Sequence, residues 1–167
     1  MVLPYLAGNT CYCWNYRFKM YWKKDGKTIG TFKALKTIEP DLFFGLQPQG
    51  VFLIRNKKAE VIPVEKYNSS RVPYATQSAP MLVMESKINP QLPKSTSRYI
   101  RNGVGILPVG RVLLIISKQA VTFQQSAGFF IENKCTSAPY LDEAISEVYT
   151  GENETYVNFG LMIAAVK

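Results

Sequence analysis

The sequence predicts an α+β fold: a strand-rich mixed sheet with one or two packed helices, in a single domain. Three stretches carry that expectation. Tyr12, Trp14, Tyr16, Phe18, Met20 and Trp22 alternate with polar Asn15, Arg17 and Lys19, which is the period of a half-buried strand. Arg111–Ser117 holds a run of branched apolar residues, Val112–Ile116, the pattern of a central strand buried on both faces. Thr122 stands three residues before Gln125, a capping-box spacing that opens a helix with Phe123, Ala127, Phe130 and Ile131 on one face.

Taken in order, the first strand ends at Asp25-Gly26, a dipeptide that favours the positive φ of a tight hairpin, and Lys27 to Phe32 pairs back on it. The aromatic stripe would also serve as a sugar-stacking surface, but a core-facing strand is its commoner cause. Phe43-Phe44-Gly45 leads into a turn at Gln47-Pro48-Gln49-Gly50. Short strands at Val51–Arg55 and Ala59–Val64 flank a hairpin connection at Asn56-Lys57-Lys58. Tyr67–Pro73 is a loop, Met81–Met84 a short apolar strand, and Glu85–Lys87 its turn. Asn89–Thr96, with two prolines and several hydroxyls, is an exposed loop. Gly128 weakens the helix by about 1 kcal/mol relative to Ala, and Asn133-Lys134 stops it. If Glu143–Tyr149 is helical it forms the second helix, with Asp142 capping its start. Val157, Phe159, Leu161, Ile163 and Ala165 then share one face of a terminal strand.

At 167 residues the chain is long enough to bury a core without disulfides or metal. Cys11, Cys13 and Cys135 make neither a disulfide framework nor a four-ligand zinc set, and read as buried thiols. The sequence contains no histidine, which removes Ser-His-Asp and Cys-His nucleophile pairs, His-based metalloprotease sites and His general bases together. Any catalysis must run on carboxylates, Tyr, Lys, Arg, Cys or Ser. The net charge of +8 is spread along the chain, with dense groups only at Lys23-Lys24 and Lys57-Lys58. That dispersion argues against a nucleic-acid stripe and fits small anionic ligands as well. No apolar run is long enough for a transmembrane helix. The opening residues, interrupted by Pro4, lack a basic n-region, so the chain as it stands is expected to be cytoplasmic unless its natural N-terminus lies further upstream.

Three polar clusters stand beside apolar runs. Arg101-Asn102-Gly103 offers a guanidinium fork, an amide and a turn; the fork suits phosphate or carboxylate, and Gly103 and Gly105 would let backbone N–H groups approach an anion. The same tripeptide is also simply a good turn. Asp142 follows apolar Tyr140-Leu141 and so falls at a strand end, with Ser146 and Glu147 about one helical turn on. That arrangement suits a divalent cation or acid–base work, or else an N-cap with an exposed Glu. Gln77 and Ser78 lie in an extended segment before Pro80, positioned either for a sugar or phosphate or for the loop backbone.

In this order and spacing, the clusters resemble the phosphodiester glycosidase family. The matching stretches are Leu46–Phe52, Ala75–Leu82, Arg98–Gly105 and Tyr140–Glu147, with Phe159–Ile163 similar to the family's last strand. The resemblance spans about Phe43 to Lys167. It implies hydrolysis of a sugar-1-phosphodiester, or of a related glycoconjugate, that releases the sugar and leaves a phosphomonoester. Carried onto this chain, it implies that Arg101 holds phosphate, with Arg98 and Gly103 beside it. Asn102, Gln77 and Ser78 would position phosphate or sugar hydroxyls. Asp142 would be the leading catalytic carboxylate, or the metal ligand if a divalent cation takes part, supported by Ser146 and Glu147. Two departures stand out. Glu143 occupies a position where the family usually has Gly, which permits a close ligand approach that Glu does not. The family's Asn-Ala-Gly motif is represented only by Ala7-Gly8-Asn9, with no strands before it. These departures open one alternative, an N-terminally shortened, inactive relative that still binds carbohydrate or phosphate; a further alternative, independent of any pocket, is a basic structural or nucleic-acid-associated protein.

Overall fold

The computed structural model describes residues 46–68 and 72–141, together with the backbone at 22–24 and 27–28. The expected aromatic strand before Trp22, the helix over 143–149 and the terminal strand lie outside the described residues. Those described all belong to one compact unit, Met20–Ser146.

Strands β1 (Trp22–Lys24) and β2 (Lys27–Thr28) form the expected hairpin, with Lys24 opposite Lys27. Strands β3 (Gly50–Arg55) and β4 (Lys58–Pro63) form a second. Its turn residues Asn56 and Lys57 both have positive φ, +51° and +62°, the backbone of a tight two-residue hairpin. Strand β5 (Tyr74–Ser78) lies between the two hairpins, giving an antiparallel sheet of order β2-β1-β5-β3-β4. Val51, Leu53 and Ala75 project from one face and pack with Val64 and Val72 into a buried cluster.

The chain passes from this sheet through Ala79-Pro80 into β6 (Met81–Met84), which turns at Glu85-Ser86 into β7 (Lys87–Ile88). Strand β10 (Ala138–Pro139) pairs on the other side of β6. Strands β8 (Asn102–Ile106) and β9 (Val112–Ile116) form a further hairpin, joined to the β10 segment by the bridges Gly103–Tyr140 and Ile106–Ser137. Helix α1 (Phe123–Glu132) packs on this second group. It is the only α-helix among the described residues.

The helix forms as its sequence dictates. Thr122 Oγ1 accepts from the Gln125 N–H at 3.2 Å, and Gln125 Oε1 accepts from the Thr122 N–H at 3.0 Å, completing the capping box. At the other end, Cys135 N–H donates to Phe130 O at 2.9 Å and Lys134 N–H to Ile131 O at 2.8 Å. Lys134 itself is left-handed, with φ +61°. Together these make a Schellman stop in which lysine occupies the position glycine usually takes. Phe123, Ala127 and Phe130 are buried with Leu82, Val83, Leu92, Cys135, Ala138 and Tyr140 in the larger core.

Three expectations need correction. Arg111–Ser117 does not supply a strand buried on both faces: β9 is half-buried, Leu114 is 40% exposed, and its one strand partner among the described residues is β8. A continuous branched run reads the same whether one face or both are covered. Asn89–Thr96 is not wholly exposed either, since Asn89 and Leu92 are buried. Asn89 Nδ2 donates to Met81 O at 2.8 Å and Gln47 O at 3.2 Å, while its Oδ1 accepts from the Gln91 N–H. Finally, Arg101-Asn102-Gly103 is the entry to β8 rather than a turn.

Candidate functional site

The sheet period of two decides which candidate side chains face one another. Along β8, Arg101, Gly103 and Gly105 share the face that meets α1, whereas Asn102 and Val104 lie on the other. A Cβ on Gly103 would sit 3.0 Å from Phe130 Cζ and 3.1 Å from Pro139 O. On Gly105 it would sit 2.6 Å from Cys135 Sγ and 2.8 Å from Phe130 Cδ1. These glycines let the strand approach the helix. Gly103 is also engaged in pairing on both sides, with Ile115 and with Tyr140.

Arg101 faces the other end of the same helix stripe and is 1% exposed. Its Nε donates to Val121 O at 2.9 Å and its Nη2 reaches Ser97 O at 3.5 Å. The guanidinium lies 3.6 Å over the Phe123 ring centroid, with Tyr99 and Tyr140 at 5.4 Å. Carbonyl dipoles and ring faces compensate much of the cost of burying this charge. Its backbone is held as well: Arg101 N–H donates to Ser117 Oγ at 2.9 Å and Ser117 N–H to Arg101 O at 2.8 Å. Arg98, three residues earlier, is exposed.

Adjacent residues divide in β5 too. Gln77 is buried and its amide donates to Gln49 Oε1, on the face that carries Val51 and Leu53. Ser78 faces the opposite way, and its Oγ donates to Leu141 O at 2.8 Å. Leu141 N–H in turn approaches Asn102 O at 3.4 Å, and Tyr140 N–H donates to Pro80 O at 3.0 Å. The segment that delivers Asp142 is therefore held by residues from two of the other clusters. Ser78, Asn102 and Leu141 come together; Gln77 pairs with Gln49 on the far face of β5. Asp142, Ser146 and Glu147 lie outside the described residues.

Gln49, Phe123 and Tyr140 were not expected at the site. Gln49 had a legible signal, because it stands two positions before Val51 and shares its face. The Phe123–Tyr140 edge-to-face contact, at 5.3 Å and 84°, comes from distant parts of the chain and had none. Burial pushes the Cys135 thiol above its ordinary pKa, so it stays protonated and inert at neutral pH. Among the described residues, no group of three or more Cys, Asp or Glu is placed to hold a metal ion.

This architecture is similar to that of a solved structure. The catalytic domain of zebrafish N-acetylglucosamine-1-phosphodiester α-N-acetylglucosaminidase, solved in a form auto-inhibited by its pro-peptide, superposes with a TM-score of 0.54 at 13% identity. The match covers 86% of this chain and 55% of that one. The family follows from the sequence profile of the phosphodiester glycosidases, which matches residues 19–151: the chain belongs to the phosphodiester glycosidase family. It is also 34% identical over 109 residues to the uncharacterized protein YigE of Escherichia coli strain K12. That alignment spans 64% of this chain and 43% of YigE, so the chain covers about half the length of the proteins it matches, or less.

Proposed function

We propose that the chain hydrolyses a sugar-1-phosphodiester at a site built around Asp142, releasing the sugar and leaving a phosphomonoester on the aglycone. The observation that carries this reading, beside family membership, is the grip of Ser78 Oγ and Asn102 O on Leu141, the residue immediately before Asp142. A carboxylate on a backbone held from two strands meets the need of a general acid–base group for fixed geometry. Ser146 and Glu147 support that carboxylate. Asn102, Gln77 and Arg98 supply polar contacts to sugar or phosphate, and Ser78 positions the Asp142 segment. Arg101, stacked on Phe123, contributes a fixed positive charge on the phosphate side. Gly103 allows β8 to seat against α1. A divalent cation, if one takes part, would bind at Asp142.

The test is release of sugar from a panel of chromogenic sugar-1-phosphodiesters, with divalent cation and with chelator. Asp142→Ala is expected to lower kcat by about 10²–10⁴-fold, the range for loss of a positioned acid–base group. Ser78→Ala should lower kcat more than it raises KM, because it loosens the segment rather than the ligand. Glu143, standing where the family usually has Gly, supports a second reading in which the site binds without turnover. Saturable binding of a sugar phosphate by folded protein without hydrolysis, with activity appearing in Glu143→Gly, would select that reading. Neither binding nor hydrolysis would refute both.

A further inference from the structure

The two dense basic groups that stand far apart in the sequence, Lys23-Lys24 and Lys57-Lys58, are brought to one edge of the five-stranded sheet. Strand β1 is antiparallel to β5, and β5 is antiparallel to β3. So β1 and β3 run the same way, and the last pairs of their hairpins, Lys24 with Lys27 and Arg55 with Lys58, lie at the same end of the sheet. The registers fix how level the two hairpin ends are. Lys23 lies in one row with Ala75 and Leu53, and Lys24 pairs with Lys27. Ile54 occupies the next row outward with Tyr74, the same row as Lys24, and Arg55 pairs with Lys58 one row beyond. The hairpins therefore end within a single residue of each other, about 3.4 Å, and with only β5 between them they stand about 10 Å apart.

This edge gathers Lys23, Lys24, Lys27, Arg55, Lys57 and Lys58. Against these stand Glu60, which pairs with Arg55 at 2.5 Å, and, in the sequence between Lys24 and Lys27, Asp25. Asn56, Lys57 and Lys58 are exposed. The opposite end of the sheet carries Gly50 and Ser78, about 17 Å away along β3, so the basic edge is separate from the candidate site.

From this placement we infer that the end of the five-stranded sheet is a docking surface for an anionic lipid surface. Three features select that partner. Five of the six cations are lysine, a hydrated point charge suited to diffuse attraction; base or phosphate readout favours the planar fork of arginine. The last strand pairs of the two hairpins are level to within one residue, which makes a level base rather than a prong that enters a groove. Charge is complementary over the whole edge, and each lysine near an anionic leaflet adds to binding independently.

The experiment is co-sedimentation of the full chain with phosphatidylcholine vesicles, with and without phosphatidylglycerol, at low and high salt. Binding is expected only with phosphatidylglycerol, and it weakens as salt shortens the screening length. Lys57→Gly combined with Lys58→Gln should lower the partition coefficient roughly twenty-five-fold, about fivefold per lysine removed. Glycine suits the positive φ at position 57, so this variant keeps the turn. Lys94→Gln with Lys118→Gln removes the same net charge at exposed positions outside both hairpins and should change partition little. The inference is overturned by absence of binding to phosphatidylglycerol vesicles, or by equal losses in the two double variants. Tighter binding to duplex DNA or heparin than to the vesicles at the same salt overturns it as well.

Discussion

Gly105→Ala separates two meanings that glycine carries in the Arg101–Gly105 stretch. If Gly105 serves close approach of a ligand, alanine should impair binding and leave stability alone. If it serves close approach of the helix, alanine should lower stability. The structure favours the second, since the new Cβ would lie 2.6 Å from Cys135 Sγ and 2.8–2.9 Å from the Phe130 ring. Both neighbours are fully buried, so neither moves away cheaply. Gly105 does not have the positive φ that would penalise alanine by itself; Gly110 is the glycine with that conformation among the described residues. Overpacking of this kind costs about 1–3 kcal/mol, and the stiffer unfolded chain returns about 0.5–1 kcal/mol. The net expectation is a loss of about 1.5 kcal/mol, or a fall in Tm of about 4 °C for a chain of this size. Urea unfolding followed by tryptophan fluorescence measures it, with the m-value unchanged. Cys135→Ala in the same background removes the shorter contact, so the double variant should be more stable than the two single losses predict, by at least about 0.5 kcal/mol. A Gly105→Ala protein as stable as its parent but deficient in substrate binding would refute the packing argument, and so would a strictly additive cycle.

Two further outcomes follow from the helix and the buried thiol. Thr122→Ala removes the capping-box acceptor and should cost about 1 kcal/mol, while Gly128→Ala, whose Cβ meets nothing within 4 Å, should gain up to about 1 kcal/mol; opposite shifts of the urea midpoint check the pair. Burial raises the Cys135 pKa in the folded state, so the unfolded thiol ionises first. Its contribution to stability is complete below the free-thiol value, about pH 8.5, and is lost as pH rises from there through the folded value. Urea midpoints followed into mild alkali should fall more steeply in the parent than in Cys135→Ala.

What could be read from the sequence was local. The strand pairs around Asn56-Lys57, the strand at Met81–Met84 and the helix at Phe123–Glu132 each rest on signals within a dozen residues: alternation, a turn dipeptide, a capping box. The family motifs were legible for the same reason, being short and ordered. Pairings between motifs were not. Ser78 meets Leu141 across 63 positions, and Asn89 meets Gln47 across 42. Nothing in the composition of either segment announces its partner, and Asn89 in a Pro- and Ser-rich stretch reads as solvated until the carbonyls of Met81 and Gln47 are brought to it.

Glycine shows why a correct motif still leaves chemistry open. Its missing side chain tells the reader that something comes close, without saying what. Gly103 and Gly105 lie two apart on a strand, so they project from one face and must share a neighbour, and that neighbour is Phe130. Arg101 completes the row and lies over Phe123, one heptad before Phe130 on the same helix stripe. A strand period of two thus meets a helix spacing of seven, and three positions of the polar cluster are explained by the packing of β8 on α1. The backbone carbonyl of Asn102, in the plane of the sheet, approaches the N–H of Leu141, on the segment leading to Asp142. One motif therefore does two jobs, one through its packing face and one through its backbone. The packing face fixes the strand, and the fixed strand holds Leu141, the residue before Asp142. Substitutions on the packing face should act first on stability, and those at Ser78, whose hydroxyl holds Leu141, on turnover.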